Sequence, residues 1–281
     1  MYIKRVVFIC LIFALLACVA GCDSRQDDEP DNLLDIVFDY QWVGDIDKIK
    51  FNEPSGICWH SKRRTLFVIG DEGDICEIRT DGSLVRQRHI CSADFEGITH
   101  DPGTGLLYIA VEGKEAIWEV DPDTFKVLRR FSIPRKFQGS TLMKKGAQGI
   151  EAITFIPRAN HPEGGTFYVA NQAFTLDDKE DISAIFEVEL PLRSKTDSVK
   201  LLRFFPAGVI DLAGLYYDEK TSHVFAVSDA ANILLEYSPE HKLINTFAFP
   251  GDNQEGITVD SDGYMYIAQD SGGIVKIKWL R

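Results

Sequence analysis

Phe95-Glu96-Gly97-Ile98 is one copy of a short phrase that recurs along the chain and decides its fold. Each copy has a small or acidic residue, then Gly-Ile or a close variant, at the start of a run of strand-forming residues. The other copies are Pro54-Ser55-Gly56-Ile57, Ile150-Glu151-Ala152-Ile153, Leu212-Ala213-Gly214-Leu215 and Gln254-Glu255-Gly256-Ile257. Self-similarity of this kind is typical of a repeat architecture.

The residues after each phrase have the composition of further strands. In the second copy, residues 106–110 and 116–120 are rich in β-branched and aromatic residues and flank the turn Val111-Glu112-Gly113. Such runs, bounded by Gly, Asp, Asn and Pro, predict strands. Most copies add a fourth strand, and the candidates are residues 84–89, 127–131, 201–205 and 243–247. Four antiparallel strands in about 40–45 residues are typical of a β-propeller blade.

The positions of the phrase give the number of repeats. Its third residues, at 56, 97, 152, 214 and 256, are 41, 55, 62 and 42 residues apart. Two of these intervals fit a bare blade, and the others require insertions, which we assign to residues 134–148, 175–181 and 191–199. The sequence therefore predicts an all-β, five-bladed β-propeller. A six-bladed propeller is the alternative if the long third repeat holds another small sheet, whereas an open β-sandwich leaves the repeated phrase unexplained.

The two ends of the propeller region complement each other. The fifth repeat stops after its third strand, at Trp279-Leu280-Arg281, and would expose an unpaired edge. Residues 34–42 precede the first phrase and belong to no complete repeat. We expect this N-terminal segment to supply the outer strand of the last blade and so to close the ring.

The first 21 residues resemble the signal peptide of a bacterial lipoprotein. Lys4 and Arg5 form a basic n-region. Residues 6–20 are an uncharged apolar run that is shorter than the usual length of a transmembrane helix. Val19-Ala20-Gly21-Cys22 resembles a lipobox, which implies cleavage before Cys22 and lipidation of that residue. The alternative is an uncleaved anchor helix.

This reading divides the chain into three parts. Residues 1–21 are the signal peptide, residues 22–32 are the lipidated Cys22 with a polar, disordered tether, and residues 33–281 are the propeller domain. The protein would be lipid-anchored to a membrane of the bacterial cell envelope, in the periplasm or exposed at the surface. The sequence leaves the choice between inner and outer membrane open.

Charge and cysteine content narrow the classes of partner. The chain of 281 residues has a formal net charge of −13, which argues against nucleic acid and is compatible with cation binding. Outside the signal and lipobox there are three cysteines, Cys58, Cys76 and Cys91. An odd number cannot all pair internally, and two of them lie in predicted strands, so we expect buried free thiols rather than a disulfide scaffold.

The repeats predict two rings of acidic side chains near the propeller axis. The innermost strand of each blade lines the axis, and the turns after the second strands share the face where the inner strands begin. The first ring is Ser55, Glu96, Glu151, Ala213 and Glu255, and the second is Asp71, Glu112, Gln172, Asp229 and Asp270. Carboxylates crowded together must be relieved by protons or by a cation. Oxygen ligands at flexible spacing suit Ca²⁺ better than Zn²⁺.

Other interpretations of these acids remain open. Each Glu could cap backbone amides or pair with Lys or Arg as a latch between blades. Lys144-Lys145 and Arg129-Arg130 could bind phosphate if they face the axis, although short basic pairs are usually solvated. The sequence contains no Gly-x-Ser-x-Gly elbow, no phosphate-binding Gly-rich loop and no His-Glu-x-x-His helix.

Two pairs of motifs carry a resemblance to a known family. Phe95-Glu96-Gly97-Ile98 with 107–112, and Gln254-Glu255-Gly256-Ile257 with 265–270, resemble the SdiA-regulated family of bacterial propellers. The resemblance covers roughly residues 38–278 and implies a five-bladed, calcium-associated propeller in the cell envelope. A more distant similarity to esterase-like phytases implies phosphoester hydrolysis. The chain departs from the pattern in the fourth blade, where Ala213 replaces the acid.

The functional expectation is an envelope-anchored propeller that binds calcium at its acidic axial face and serves in ligand binding or calcium-linked sensing. One alternative is a calcium-dependent phosphoesterase of the phytase type, a metal-dependent hydrolase. Another is a protein-interaction platform whose axial acids are structural. The expected metal ligands are Asp71, Glu96, Glu112, Glu151, Asp229, Glu255 and Asp270.

Overall fold

In the computed structural model the described residues form strands and turns around one axis. The structure describes residues 34–35, 40–46, 51, 53–145, 149–194, 196, 198–248 and 251–280. Five sheets of four or five strands make up the blades. The chain is therefore a five-bladed β-propeller, as the repeated phrase predicts.

The first three blades are continuous in sequence and antiparallel throughout. From the inner strand outward, blade 1 is β3 (Pro54–His60), β4 (Thr65–Gly70), β5 (Asp74–Ile78) and β6 (Leu84–His89). Blade 2 is β7 (Phe95–His100), β8 (Leu107–Val111), β9 (Ala116–Val120) and β10 (Val127–Ser132). Blade 3 is β13 (Ile150–Pro157), β14 (Gly165–Asn171), β15 (Ala184–Glu189) and β16 (Lys200–Pro206).

The last two blades both receive strands from the N-terminal segment. Blade 4 is β17 (Leu212–Asp218), β18 (His223–Ser228), β19 (Ile233–Tyr237) and β20 (Leu243–Ala248), with β1 (Leu34–Asp35) parallel to β20. Blade 5 is β21 (Gln254–Val259), β22 (Tyr264–Gln269) and β23 (Gly273–Trp279), with β2 (Tyr40–Asp45) antiparallel to β23.

The predicted closure by an N-terminal strand is confirmed, but its bounds were wrong. The closing strand is Tyr40–Asp45 rather than residues 34–42, and Leu34–Asp35 pairs with blade 4 instead of blade 5. The segment thus crosses from one blade to the next, and its two halves cover two neighbouring outer edges. The sequence could not show this crossing, because both halves of the segment have the composition of a strand. Strand composition does not tell which blade a strand joins.

The described residues form no sixth blade, and the small sheet outside the blades is a hairpin in the interval between the second and third phrases. β11 (Lys136–Phe137) and β12 (Ser140–Thr141) pair in the insertion that precedes blade 3. This insertion meets the acidic loop that follows β14, because the Lys144 ammonium lies 3.0 Å from the Asp178 carboxylate. The six-bladed alternative is therefore excluded.

The glycine of the repeated phrase lies where adjacent inner strands come closest. A Cβ built on Gly97 would lie 2.8 Å from the backbone nitrogen of Ile153 in blade 3, and one on Gly256 would lie 2.6 Å from that of Ile57 in blade 1. A Cβ on Gly214 would lie 2.4 Å from the carbonyl oxygen of Glu255. The glycine therefore recurs in the phrase because a side chain at this position would clash with the backbone of the next blade.

Buried polar contacts join the blades and hold their outer strands. The Thr99, Thr154 and Thr258 hydroxyls each accept the backbone N–H of the next blade's inner strand, from Phe155, Tyr217 and Trp59. A buried Glu also recurs in the third strand of four blades and is paired in each: Glu77, Glu119, Glu187 and Glu236. Lys276 holds that position in blade 5.

Cys58 and Cys76 are buried and unpaired, and Cys91 is unpaired at an intermediate position. The prediction of buried free thiols is confirmed for the first two. The signal peptide, Cys22 and the tether lie outside the described residues. Within the described part of the chain, no helix is long and apolar enough to cross a membrane.

Candidate functional site

The starts of the inner strands and the loops after the second strands surround one end of the axis. They enclose a cavity of about 220 Å³, which we call the acidic cavity. Its lining residues are Ser55, Asp71, Asp94, Glu96, Glu112, Glu151, Gln172, Glu255 and Asp270. Six of the seven predicted ligands line it, and they come from blades 1, 2, 3 and 5.

Two groups of three carboxylates are especially close. In each group, one oxygen from every member lies within 4.8 Å of one oxygen from the others. The first group is Asp71, Asp94 and Glu96, and the second is Glu96, Glu112 and Glu151. Glu96 belongs to both, so its carboxylate lies between the two groups.

Burial and mutual repulsion favour the protonated forms of these acids. Burial, followed by the charge of Glu151, raises the pKa of Glu96 to about 12. Burial, followed by the charge of Asp229, raises the pKa of Glu255 to about 8, and burial likewise raises that of Asp71 to about 6. The pKa values of Glu112 and Glu151 are also raised, in both cases chiefly by burial. A cation would relieve the same repulsion that these protons relieve.

The axial acids lack the ion-pair partners that a latch would have. No ion pair within the described residues joins any of the seven cavity carboxylates to Lys, Arg or His. The third-strand Glu residues do have such partners, and these partners lie within the same blade. Glu77, for example, lies 2.9 Å from the Arg63 guanidinium and 2.7 Å from that of Arg86.

Neutral donors fix the positions of some cavity acids. The Ser55 hydroxyl donates to Asp71 at 2.5 Å, and the Gly149 N–H donates to Glu112 at 3.0 Å. The Gln172 amide donates to Asp211 at 2.8 Å, which leaves its oxygen as an acceptor. These contacts orient the carboxylates without neutralising them.

Asp229 is the one predicted ligand that does not line the acidic cavity. Its carboxylate accepts the Gln254 N–H at 2.8 Å, which turns it towards the junction of blades 4 and 5. It still acts on the site, because its charge is a cause of the raised pKa of Glu255. The structure therefore brings Asp229 close to the cavity without making it part of the wall.

Sequence reasoning missed two acids that stand two residues before the ring position. Asp94 precedes Glu96 and lines the cavity, while Asp211 precedes Ala213, is buried, and holds Gln172 and the Ala230 N–H. Asp211 thus places a carboxylate in the blade where the ring position itself is Ala. The signal was present, because Glu53 and Asn253 occupy the same place in blades 1 and 5.

The basic pairs considered from the sequence have other partners. The Arg129 guanidinium binds Glu119 at 2.5 Å and the carbonyl of Pro191 at 2.8 Å, and Arg130 lies over the Trp118 ring. Lys144 pairs with Asp178. The nine residues that line the acidic cavity include no Lys, Arg or His, so the cavity offers carboxylate, hydroxyl and amide oxygens without a cationic side chain.

Solved β-propellers share the fold. The crystal structure of Myxococcus xanthus glutaminyl cyclase matches with a TM-score of 0.59 and 10% identity, over 85% of this chain and 95% of that chain. The β-propeller domain of Myceliophteria thermophila Cps50 (Swd1) matches with a TM-score of 0.50 and 9% identity, over 85% and 99%. At these identities the likeness shows the fold alone.

A search of curated proteins returned no match. The profile of the SdiA-regulated family, in contrast, matches residues 36–272, which contain all five copies of the phrase and every residue that lines the acidic cavity. The chain belongs to the SdiA-regulated family.

Proposed function

We propose that this protein binds Ca²⁺ in the acidic cavity and serves, at the surface of a membrane, in ligand binding or calcium-linked sensing. The observation that carries the proposal is the convergence of seven carboxylates from four blades on a cavity of about 220 Å³. Crowded acids without cationic partners are an arrangement that a bound cation stabilises.

The donor set fits Ca²⁺ in kind and in number. Ca²⁺ takes six to eight oxygen ligands at about 2.3–2.6 Å and accepts irregular geometry. The two groups of carboxylates that share Glu96 supply five acids, and the Gln172 amide and Ser55 hydroxyl add neutral oxygens. The cavity has no Cys or His in its lining, so it lacks the softer ligands that zinc prefers.

Binding is a better-supported role than hydrolysis. A phosphoesterase has to hold an anionic substrate, and the lining of the acidic cavity contains only acids, Ser55 and Gln172. Lys144, a basic side chain that the sequence offered for phosphate, pairs instead with Asp178. We therefore place calcium binding first, and calcium-dependent release of phosphate from a phosphoester is the assay that would reverse this order.

Membrane attachment belongs to the proposal and rests on the sequence alone. Val19-Ala20-Gly21-Cys22 would direct cleavage and lipidation, which would place the propeller in the cell envelope on a short acidic tether. The Cys22→Ser variant is expected to leave the membrane fraction of the bacterial cell. Retention of this variant in the membrane fraction would contradict lipid anchoring at Cys22.

The calcium site is tested by the melting temperature of the purified protein in EDTA and in millimolar Ca²⁺. At a Ca²⁺ concentration 100 times the dissociation constant, binding to the native state adds about 2.7 kcal/mol. We expect this gain to shrink in Glu151→Gln and in Glu255→Gln, because each removes a carboxylate from the cavity.

The matched control is Glu72→Gln. Glu72 is exposed and adjacent to Asp71 on the same face, but it does not line the acidic cavity. Its variant should respond to Ca²⁺ as the unaltered protein does. A melting temperature that is indifferent to Ca²⁺ in the unaltered protein, or equal losses in all three variants, would overturn the proposal.

A further inference from the structure

The other end of the propeller axis holds a larger cavity of a different chemical character. Its volume is about 690 Å³, and its walls come from all five blades at the ends of their inner strands. We call it the aromatic cavity and define it by Trp59, His100, Phe155, Tyr216, Phe225 and Trp279 among its lining residues. It lies at the face opposite the acidic cavity, because inner strands begin at one face and end at the other.

Three aromatic rings in contact with one another form one side of this aromatic cavity. The centroids of Tyr216 and Phe225 are 6.2 Å apart, and those of Phe225 and Trp279 are 6.3 Å apart with the rings nearly perpendicular. Ile57, Leu215 and Met265 add aliphatic surface to the wall. Rings that already contact one another form a rigid apolar platform, onto which a further ring can pack with little loss of side-chain entropy.

Among the charged groups of the wall, Glu219, Lys220 and Asp262 are exposed to solvent. The others, Asp218, Asp260 and Lys278, are engaged within the protein. Asp260 accepts the Tyr266 hydroxyl at 2.9 Å and the Tyr264 N–H at 2.9 Å, and Asp218 accepts the Thr221 hydroxyl at 2.8 Å. Three of the four threonines of the wall, Thr99, Thr154 and Thr258, accept the N–H groups that join the blades. A charged ligand would therefore have to compete with contacts that hold the turns and the inner strands together.

His100 contributes the imidazole ring of the wall, and this ring is uncharged at neutral pH. His100 stacks on His60 with 4.7 Å between ring centroids, and burial lowers the pKa of His100 to about 3. At neutral pH the ring therefore offers a neutral surface with one donor and one acceptor nitrogen. Together with the engaged carboxylates, this makes an ion a poor occupant and an uncharged molecule a good one.

We propose that the aromatic cavity binds an uncharged small molecule that carries one or more planar rings. Small-molecule sites are commonly clefts of about 300–1,000 Å³, mostly apolar, with a few polar groups that set orientation. This cavity meets each of those conditions, and it is independent of the calcium proposal because it shares no lining residue with the acidic cavity.

The test uses 1-N-phenylnaphthylamine, an uncharged two-ring fluorophore, titrated into the purified full chain with the detergent background subtracted. We expect one saturable site per chain. Trp279→Ala and Tyr216→Ala should each raise the dissociation constant about tenfold, since each removes part of the aromatic wall. Melting curves show whether the two variants remain folded. One folded variant with weaker binding is enough to support the proposal.

Trp42→Ala is the matched control. Trp42 lies on β2, the strand next to β23 and its Trp279, but its side chain is 47% exposed and does not line the aromatic cavity. This variant should bind the probe as the unaltered protein does, and so should Glu151→Gln. Absence of saturable binding, unchanged binding in both wall variants, or an equal loss in Trp42→Ala would overturn the inference.

Discussion

At the scale of single residues, the glycine of the repeated phrase shows why the repeats share a sequence at all. Inner strands of neighbouring blades pack backbone against backbone, and a methyl group at this position meets main-chain atoms rather than a flexible side chain. Blade 3 is the exception, because Ala152 occupies the position and is buried. The ring therefore accommodates one methyl group at this position, in blade 3.

Gly256→Ala should destabilise the propeller by about 1–3 kcal/mol, the usual cost of overpacking. The new Cβ would lie 2.6 Å from the Ile57 backbone nitrogen, so one of the two inner strands has to shift. Ala152→Gly is the control and should cost only about 0.5–1 kcal/mol, from added flexibility in the unfolded chain. Urea unfolding of both variants measures the difference, and equal losses would contradict the steric explanation.

At the scale of elements, β2 closes the ring by covering the outer edge of β23. Tyr40 pairs with Trp279 and Trp42 with Ile277, and the Ile46 N–H continues the contact by donating to Ile274. Without β2, the last strand of blade 5 would present a row of unpaired backbone groups, which is a template for association with other chains.

Truncation distinguishes the closing strand from the residues before it. Removal of residues 1–46 should lower the melting temperature by several degrees, at about 2–4 °C for each kcal/mol lost, and should promote self-association. Removal of residues 1–33 should leave the melting temperature unchanged, since β1 and β2 both remain. Calorimetry and size-exclusion chromatography report the two effects, and equal behaviour of the two truncations would show that β2 does not stabilise the ring.

At the scale of the whole molecule, the axis has two chemically opposite ends. One end concentrates carboxylates whose pKa values are raised by burial, and the other is walled by aromatic rings. The stability of the protein is therefore expected to depend on pH through the acids of the acidic cavity.

In EDTA the melting temperature should fall as the pH rises from about 4 to about 8. The ordinary pKa values of Asp71 and Glu255 are 3.8 and 4.5, and their native values are about 6 and about 8. Within that window the native state holds protons that the unfolded state has released, so a higher pH favours unfolding.

Saturating Ca²⁺ should reduce this loss of stability, because the cation replaces the protons.

Below about pH 4.5 the opposite dependence on pH is expected. Hydrogen bonds from Arg63 and Thr65 outweigh burial and lower the pKa of Glu77, so its stabilisation is lost as the pH falls below its ordinary value of 4.5. A melting temperature that stays constant between pH 5 and 8 in EDTA would contradict the raised pKa values of the cavity acids.

The class of fold and the number of blades can be derived from the amino-acid sequence alone. The phrase around Gly97 repeats because the inner strands of neighbouring blades approach each other closely in the same way around the ring. The repeat in the sequence therefore predicts the repeat in the structure. It also predicted that seven acids share one face, since strand starts and the turns after second strands share an end, and six of the seven line the acidic cavity. The third-strand acids, such as Glu77, carried a periodic signal of the same kind that could have been found.

Which acids come together in the cavity depends on how the blades pack in three dimensions. Asp94 joins the acidic cavity and Asp229 does not, although both lie at the expected face. The distance of each carboxylate from the cavity depends on the packing of blades that are far apart in sequence. It also depends on single hydrogen bonds, such as the one that the Gln254 N–H donates to Asp229. The crossing of the N-terminal segment from blade 4 to blade 5, and the aromatic cavity at the far end, likewise arise from the closure of the ring, which no local pattern encodes.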